Sequence, residues 1–181
     1  MHSLRHHRFT LQQYLELDLH AEGKFEYCDG AILAMAGGSL RHNVVAGNVL
    51  AALHSRLSGQ CRAIGSDQRV ATGDGLHTYP DALVVCGEPE LSKFQGTDTL
   101  HNPTLLVEVL SPSTREYDLG EKTEHYQTIP SLRDILLVEP DHPDVRHLRR
   151  TAEGWETRRF TEGEVDLLWG PVRLPVAEIY R

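Results

Sequence analysis

The stretch Leu105-Leu106-Val107-Glu108-Val109-Leu110-Ser111-Pro112-Ser113-Thr114 decides the fold class of this chain. Its first six residues form a short apolar run bounded by Pro103 and Pro112, the signature of a strand buried on both faces. One carboxylate, Glu108, interrupts that run. A buried carboxylate is costly unless it is paired, hydrogen-bonded or bound to a metal. Upstream, Pro80-Asp81 opens a second such run, Ala82-Leu83-Val84-Val85-Cys86. Two carboxylates on neighbouring strands, with Lys122 on the helix that follows, describe a divalent-cation site that works on phosphate.

The elements outward from this pair read in order. Thr10-Leu11-Gln12-Gln13 has capping-box form, followed by apolar Tyr14, Leu15 and Leu17 at helical spacing. Asp29-Gly30 between Phe25-Glu26-Tyr27-Cys28 and Ala31-Ile32-Leu33-Ala34 predicts a hairpin. Ser39 caps a helix to about Leu57, before Gly59. Residues 61–71 read as one strand of mixed pattern, and residues 88–102 as a polar loop. Ser111 to Thr114 break the chain and cap a helix from 115 to about 127. Ile135-Leu136-Leu137-Val138 is another strand. Residues 145–150 and 155–160, split by Glu153-Gly154, form a second hairpin. The tail carries Leu167-Leu168-Trp169 and a short helix around 176–180. The sum is an α/β chain, a mixed β-sheet flanked by helices, in a single domain spanning 1–181 with a flexible 1–8.

The totals exclude several classes. With 40% apolar and 24% charged residues the chain has the make-up of a soluble globule, and no apolar stretch approaches membrane-spanning length. No apolar segment follows the charged N-terminus, so a secretory signal is not expected and the cytoplasm is the expected compartment. Three cysteines, Cys28, Cys61 and Cys86, without paired spacing argue against a disulfide framework, and Cys86 reads as a small hydrophobe. A net charge of -8 counts against a dedicated nucleic-acid binder, although a metal site is itself acidic. The local concentration Arg146, Arg149, Arg150, Arg158 and Arg159 reads as the solvated face of a hairpin.

Asp81 and Glu108 offer hard oxygen ligands suited to Mg²⁺ or Mn²⁺. Lys122 adds a compact positive charge beside a scissile phosphate or attacking water. Asp118, Lys122 and Tyr126 stand four residues apart on one helical face, so Asp118 either holds Lys122 in the site or makes an ordinary surface pair with it. Glu26 is either a third site carboxylate or a solvent-facing strand residue. His42 either contacts a phosphate or metal-bound water, or is structural. Gly37-Gly38-Ser39 serves as an anion-binding turn or a plain N-cap. Ser111 and Ser113 lack a nucleophile elbow, and capping accounts for them.

Pro80-Asp81, the run from Glu108 to Thr114, Asp118-x-x-x-Lys122-x-x-x-Tyr126 and Leu137-Val138-Glu139-Pro140 together resemble the Uma-two family of endonucleases, within the PD-(D/E)xK restriction-endonuclease-like superfamily. Lys24-Phe25-Glu26-Tyr27-Cys28-Asp29-Gly30 and His42 match its pattern too. The superfamily's usual lysine position, two residues after the acidic ligand, holds Leu110 here; the resemblance implies that Lys122 has taken its place. It further implies a restriction-endonuclease-like core, Asp81, Glu108, Lys122 and Glu26 as catalytic residues, and Asp118, His42 and Tyr126 as supports. Metal would be held by Asp81, Glu108 and the Val109 carbonyl, DNA would be the substrate, and a homodimer is expected. The alternative is a nuclease-fold module that binds nucleic acid without turnover.

Overall fold

The computed structural model describes residues 8–167, 169–170 and 172–181. Leu168 and all but the last residue of the 1–8 stretch lie outside them, so the flexibility expected of that stretch is not addressed. The elements run α1 (Leu11–His20), β1 (Phe25–Cys28), β2 (Ala31–Ala34), α2 (Leu40–Arg56), β3 (Cys61–Gly65), β4 (Arg69–Ala71), β5 (His77–Thr78), β6 (Ala82–Cys86), β7 (Leu91–Phe94), β8 (Thr97–Leu100), β9 (Leu105–Val109), α3 (Arg115–Leu119), α4 (Glu121–Gln127), β10 (Asp134–Val138), β11 (Val145–Thr151), β12 (Gly154–Phe160), β13 (Glu164–Leu167), β14 (Val172–Pro175) and α5 (Val176–Ile179).

The two apolar runs become β6 and β9, adjacent interior strands of a six-stranded sheet ordered β12-β11-β10-β9-β6-β3. β9 runs parallel to β10 and antiparallel to β6, so the sheet is mixed. β9 and β10 are buried throughout, which explains why they read as continuous apolar runs without alternation. One face of this sheet packs Val84, Val107 and Leu136 against α2, α5 and the β13–β14 ribbon. The other packs Leu83, Leu106 and Leu137 against Tyr126 of α4 and against Val70 and Leu100, which belong to a second six-stranded sheet ordered β2-β1-β5-β4-β8-β7. The architecture is therefore mixed α+β, but with two large sheets rather than one.

Local chemistry explains most of the elements. Thr10 Oγ1 accepts from the Gln13 N–H while Gln13 Oε1 accepts from the Thr10 N–H, completing the expected capping box. Asp29 and Gly30 both take positive φ, 46° and 87°, as a two-residue hairpin turn requires. Ser39 accepts from the His42 N–H and starts α2.

Five expectations need correction. Residues 61–71 are not one strand: the chain leaves β3 after Gly65 and enters β4 in the other sheet. The polar loop at 88–102 contains the β7–β8 hairpin, turned by Gln95 and Gly96 at φ 47° and 91°. The helix expected over 115–127 is broken at Gly120, whose φ −112° and ψ −105° are not helical. Thr114 makes no capping bond to α3, because its backbone is already helical and its hydroxyl is engaged elsewhere. Cys61 and Cys86 are joined by a disulfide; they are direct cross-strand partners of β3 and β6, a proximity that spacing along the chain does not reveal.

Arg158 and Arg159 are exposed, as the solvated hairpin face requires, whereas Arg146, Arg149 and Arg150 are half-buried. Arg159 is held by both carboxylate oxygens of Asp144, and Arg150 stacks on Trp155 while donating to the Leu132, Gln127 and Ile129 carbonyls. No helix among the described residues is long and apolar enough to cross a membrane.

Candidate active site

The register of β6 and β9 pairs Ala82 with Val107, so one step outward Asp81 comes opposite Glu108 at the strand ends. Facing positions of an antiparallel pair put both side chains on the same side. Asp81 Oδ2 accepts from the Val109 N–H at 2.7 Å, which ties its carboxylate to the end of β9. Glu108 points toward α4, where Tyr126 donates its hydroxyl to Glu108 Oε1.

Lys122 lies at the centre. Its Nζ is 2.8 Å from Glu26 Oε1, 3.0 Å from Glu108 Oε1 and 3.5 Å from Asp118 Oδ1. The side chains of all four are 4–7% exposed. Glu26 is thus a site carboxylate and not a solvent-facing one, and Asp118–Lys122 is a buried pair and not a surface one. The break at Gly120 does not separate them, because the Thr123 hydroxyl donates to the Asp118 carbonyl across it.

Three ionised carboxylates around one ammonium would leave a buried excess of negative charge. Proton affinity rises at Glu108, Asp118 and Lys122. Burial, with added repulsion from Asp81 and Asp118, pushes the Glu108 carboxyl up to about 8 despite the attraction of Lys122. Burial likewise raises Asp118. Burial alone would lower the Lys122 ammonium, but Glu108, Glu26 and Asp118 outweigh it and hold Lys122 charged well above its ordinary value.

His42 reaches the same strand ends from α2, with Nε2 3.4 Å from Asp81 Oδ2. The hydrogen bond to Asp81 raises its affinity for a proton, against burial. Its ring lies over Gly38, where a Cβ would come within 2.5 Å of Nδ1. Asp81 and His42, at 20% and 13% side-chain exposure, form the more open side of the cluster.

Two further residues hold the site and were not singled out from the sequence. The Thr78 hydroxyl donates to Glu26 Oε1 at 2.5 Å, and the Thr114 hydroxyl donates to Asp118 Oδ2 at 2.6 Å. Thr78 follows from the pairing of β5 with β1, which sets Tyr27 opposite His77 and hence Glu26 opposite Thr78. Nothing in the local sequence announces that pairing. Thr114 lay within the quoted motif, and its exact spacing of four before Asp118 was the available signal.

The donor set fits a hard divalent cation. The hydrogen bonds described fall on Oδ2 of Asp81 and Oε1 of Glu108, and the like-charge pressure on Glu108 is what a cation would relieve. Among the described residues no group of three or more His, Cys, Asp and Glu side chains stands ready to hold a metal ion. A surface hollow of about 260 Å³ beside Gln60, Arg62, Gly87 and Glu88 lies toward the Cys61–Cys86 end of β3 and β6, opposite to Asp81.

Comparison with known proteins gives the chain's family and fold. The family model Uma2, described as "Putative restriction endonuclease", matches residues 11–172. An uncharacterized protein of Synechocystis sp., slr1290, is 34% identical over 149 residues, covering 81% of this chain and 77% of its own. A second from the same organism, sll1609, is 30% identical over 146 residues, covering 80% and 82%. A crystal structure from Anabaena variabilis, described as a putative nuclease belonging to DUF820, superposes with a TM-score of 0.77 at 22% identity, covering 95% of this chain and 97% of that one. At that identity the likeness establishes a shared fold.

Proposed function

The chain belongs to the Uma2 family of restriction-endonuclease-like proteins, and from that membership we propose that it is a Mg²⁺- or Mn²⁺-dependent endonuclease hydrolysing phosphodiester bonds of DNA. The observation that carries this reading is the convergence of Glu26, Glu108 and Asp118 on the Lys122 ammonium, beside an Asp81 fixed to the Val109 N–H.

Asp81, Glu108 and the Val109 carbonyl would hold the ion. Bound there, it supplies a water acidified toward neutral pH and a positive charge on the phosphoryl oxygens. The chain's own groups do the rest. Lys122 offsets the charge that develops on the phosphate, and its protonation is secured by the carboxylates around it. Glu26 and Asp118, themselves held by Thr78 and Thr114, aim the ammonium. Tyr126 fixes the Glu108 carboxylate, and His42 holds Asp81 from the open side.

The burial of Lys122 favours a second reading, a nuclease-fold module that binds nucleic acid without turnover. Supercoiled plasmid incubated with Mg²⁺ or Mn²⁺, with and without EDTA, separates the two. Metal-dependent nicking by the wild type, abolished by Asp81→Ala and reduced at least a hundredfold by Lys122→Ala, is expected. Cleavage that survives Asp81→Ala would overturn the endonuclease reading. Metal binding without cleavage of any DNA or RNA would move the function to the second.

A further inference from the structure

The sheet edge that carries Asp81 and Val109 continues past them to two arginines with no part in the chemistry above. β9 runs parallel to β10 and antiparallel to β6, so the ends of β9 and β10 and the start of β6 share this edge. The Leu110 N–H donates to the Val138 carbonyl at 2.8 Å, which carries the register one step further and sets Glu139 level with Leu110. In the order β10-β9-β6 that strand end lies two strand spacings from Asp81, about 10 Å. Arg41 and Arg115 reach it from opposite faces of the sheet, Arg41 from α2 and Arg115 from α3. Arg41, beside His42, donates from Nε to the Pro140 carbonyl at 2.9 Å and from Nη2 to the Tyr180 carbonyl at 3.5 Å. Arg115 donates from Nη2 to Glu139 Oε1.

Charge separates these two from the other arginines. Arg159 is cancelled by both oxygens of Asp144. Arg150 is held by carbonyls, as Arg41 is, but it lies at the start of β10, the opposite edge. Arg41 makes no ion pair among the described residues, and the first turn of α2 holds no acidic residue to answer it. Two backbone carbonyls fix the direction of its guanidinium and leave its positive charge uncompensated, with Nη1 free to donate. A partly buried cation without a counter-charge is costly, and an anion relieves that cost. Arg115 is 41% exposed, and its single bond to Glu139 leaves the rest of the fork open to solvent. A planar fork held by one side matches phosphate oxygens on the other. In a chain of net charge -8, cations that face a polyanion have to be placed locally.

We propose that Arg41 and Arg115 bind the nucleic-acid backbone at phosphates flanking the one presented to Asp81, with Glu139 aiming Arg115. The strand lies along the sheet edge, over the ends of β6, β9 and β10. These contacts go to phosphate and carry no base preference, so they set the register of the substrate and not its sequence. This role rests on the nucleic-acid reading of the site, but it requires binding only and not turnover.

The test is fluorescence anisotropy of a labelled DNA duplex with the full chain over a range of NaCl concentrations, in EDTA and again in Ca²⁺. One phosphate contact contributes about 0.9 to the slope of log affinity against log salt, so Arg41→Gln should lower the slope by that amount and the affinity about eightfold at 0.1 M salt. Arg115→Gln should do the same, the double variant should lose about twice the slope, and unrelated sequences should be affected equally. Arg41→Lys keeps the charge and should restore the slope. Lower unfolding stability of Arg41→Gln with the wild-type slope would make Arg41 a clasp for the Tyr180 end of the chain and overturn the proposal. So would a wild type that binds no DNA in either buffer, or a loss confined to one sequence. Lowered slopes in a protein that never cleaves would uphold these contacts and remove the endonuclease reading; cleavage with unchanged slopes would do the reverse.

Discussion

Lys122 and Glu108 meet at 3.0 Å inside the protein, and each sets the protonation of the other. The raised Glu108 carboxyl makes a directional statement about stability. A carboxyl whose folded value lies above its unfolded value contributes stability that is full below the unfolded value, near 4.5, and is lost as pH rises through about 8. The metal-free protein should therefore lose a few kcal/mol between those pH values through this one group. Urea unfolding from pH 5 to pH 8.5 reads the slope, and Glu108→Gln should flatten it. An unchanged slope in the variant would show that Glu108 is ionised throughout.

His77 should produce the opposite slope on the acid side. Burial first, then repulsion from Arg69, hold its imidazole down at about 4. A histidine depressed in the folded state contributes stability above its unfolded value, near 6.5, and loses it as pH falls through 4. His77→Gln should reduce the acid sensitivity of the unfolding midpoint, and equal acid sensitivity in both proteins would refute the assignment.

Gly38 is needed for closeness and not for backbone freedom. A Cβ there would come within 2.5 Å of His42 Nδ1. Gly38→Ala should push the ring off Asp81, and the His42 imidazole should then titrate nearer its ordinary value, since the bond to Asp81 is the largest influence raising it. An NMR titration of the His42 ring checks this directly. If the Proposed function holds, cleavage should drop in parallel with His42→Ala.

How far the site could be read from the chain divides along a physical line. Asp81 and Glu108 were legible because each puts a charge into an otherwise apolar strand, a local anomaly. Lys122, Asp118 and Tyr126 were legible because helical spacing survives the break at Gly120. The Thr78–Glu26 contact was not, because it depends on β5 pairing with β1 across some fifty intervening residues. The Cys61–Cys86 disulfide was hidden for the same reason: it follows from the β3–β6 register and not from any cysteine spacing. The β7–β8 hairpin escaped notice because Gln-Gly replaces the usual Asn-Gly at a turn that still demands two positive φ values.

That disulfide closes a loop of 25 residues between adjacent strands. In the chain-entropy picture a loop of this length is worth about 3.5 kcal/mol. The pair Cys61→Ala and Cys86→Ala, or the wild type in dithiothreitol, should lose about that much in urea unfolding. The wild type and the double variant should become equal once reductant is added, and a remaining gap would mean that the alanines disturb packing beyond the lost bond.

Thr78→Val tests whether Glu26 is held for function or merely accommodated. Valine keeps the shape of threonine and removes its hydroxyl, and Thr78 is fully buried. Glu26 Oε1 would retain Lys122 at 2.8 Å but lose the donor on its other side. A buried acceptor deprived of one partner costs about 1–3 kcal/mol. The unfolding free energy should fall by that amount, with the folded spectrum unchanged. If Glu26 aims Lys122, cleavage by the folded variant should fall about tenfold while the affinity for Mn²⁺ stays as it was, because Asp81, Glu108 and the Val109 carbonyl are untouched. A variant that is less stable but cleaves at the wild-type rate would reduce Thr78 to a structural role and leave the aim of Lys122 to Asp118 and Glu108.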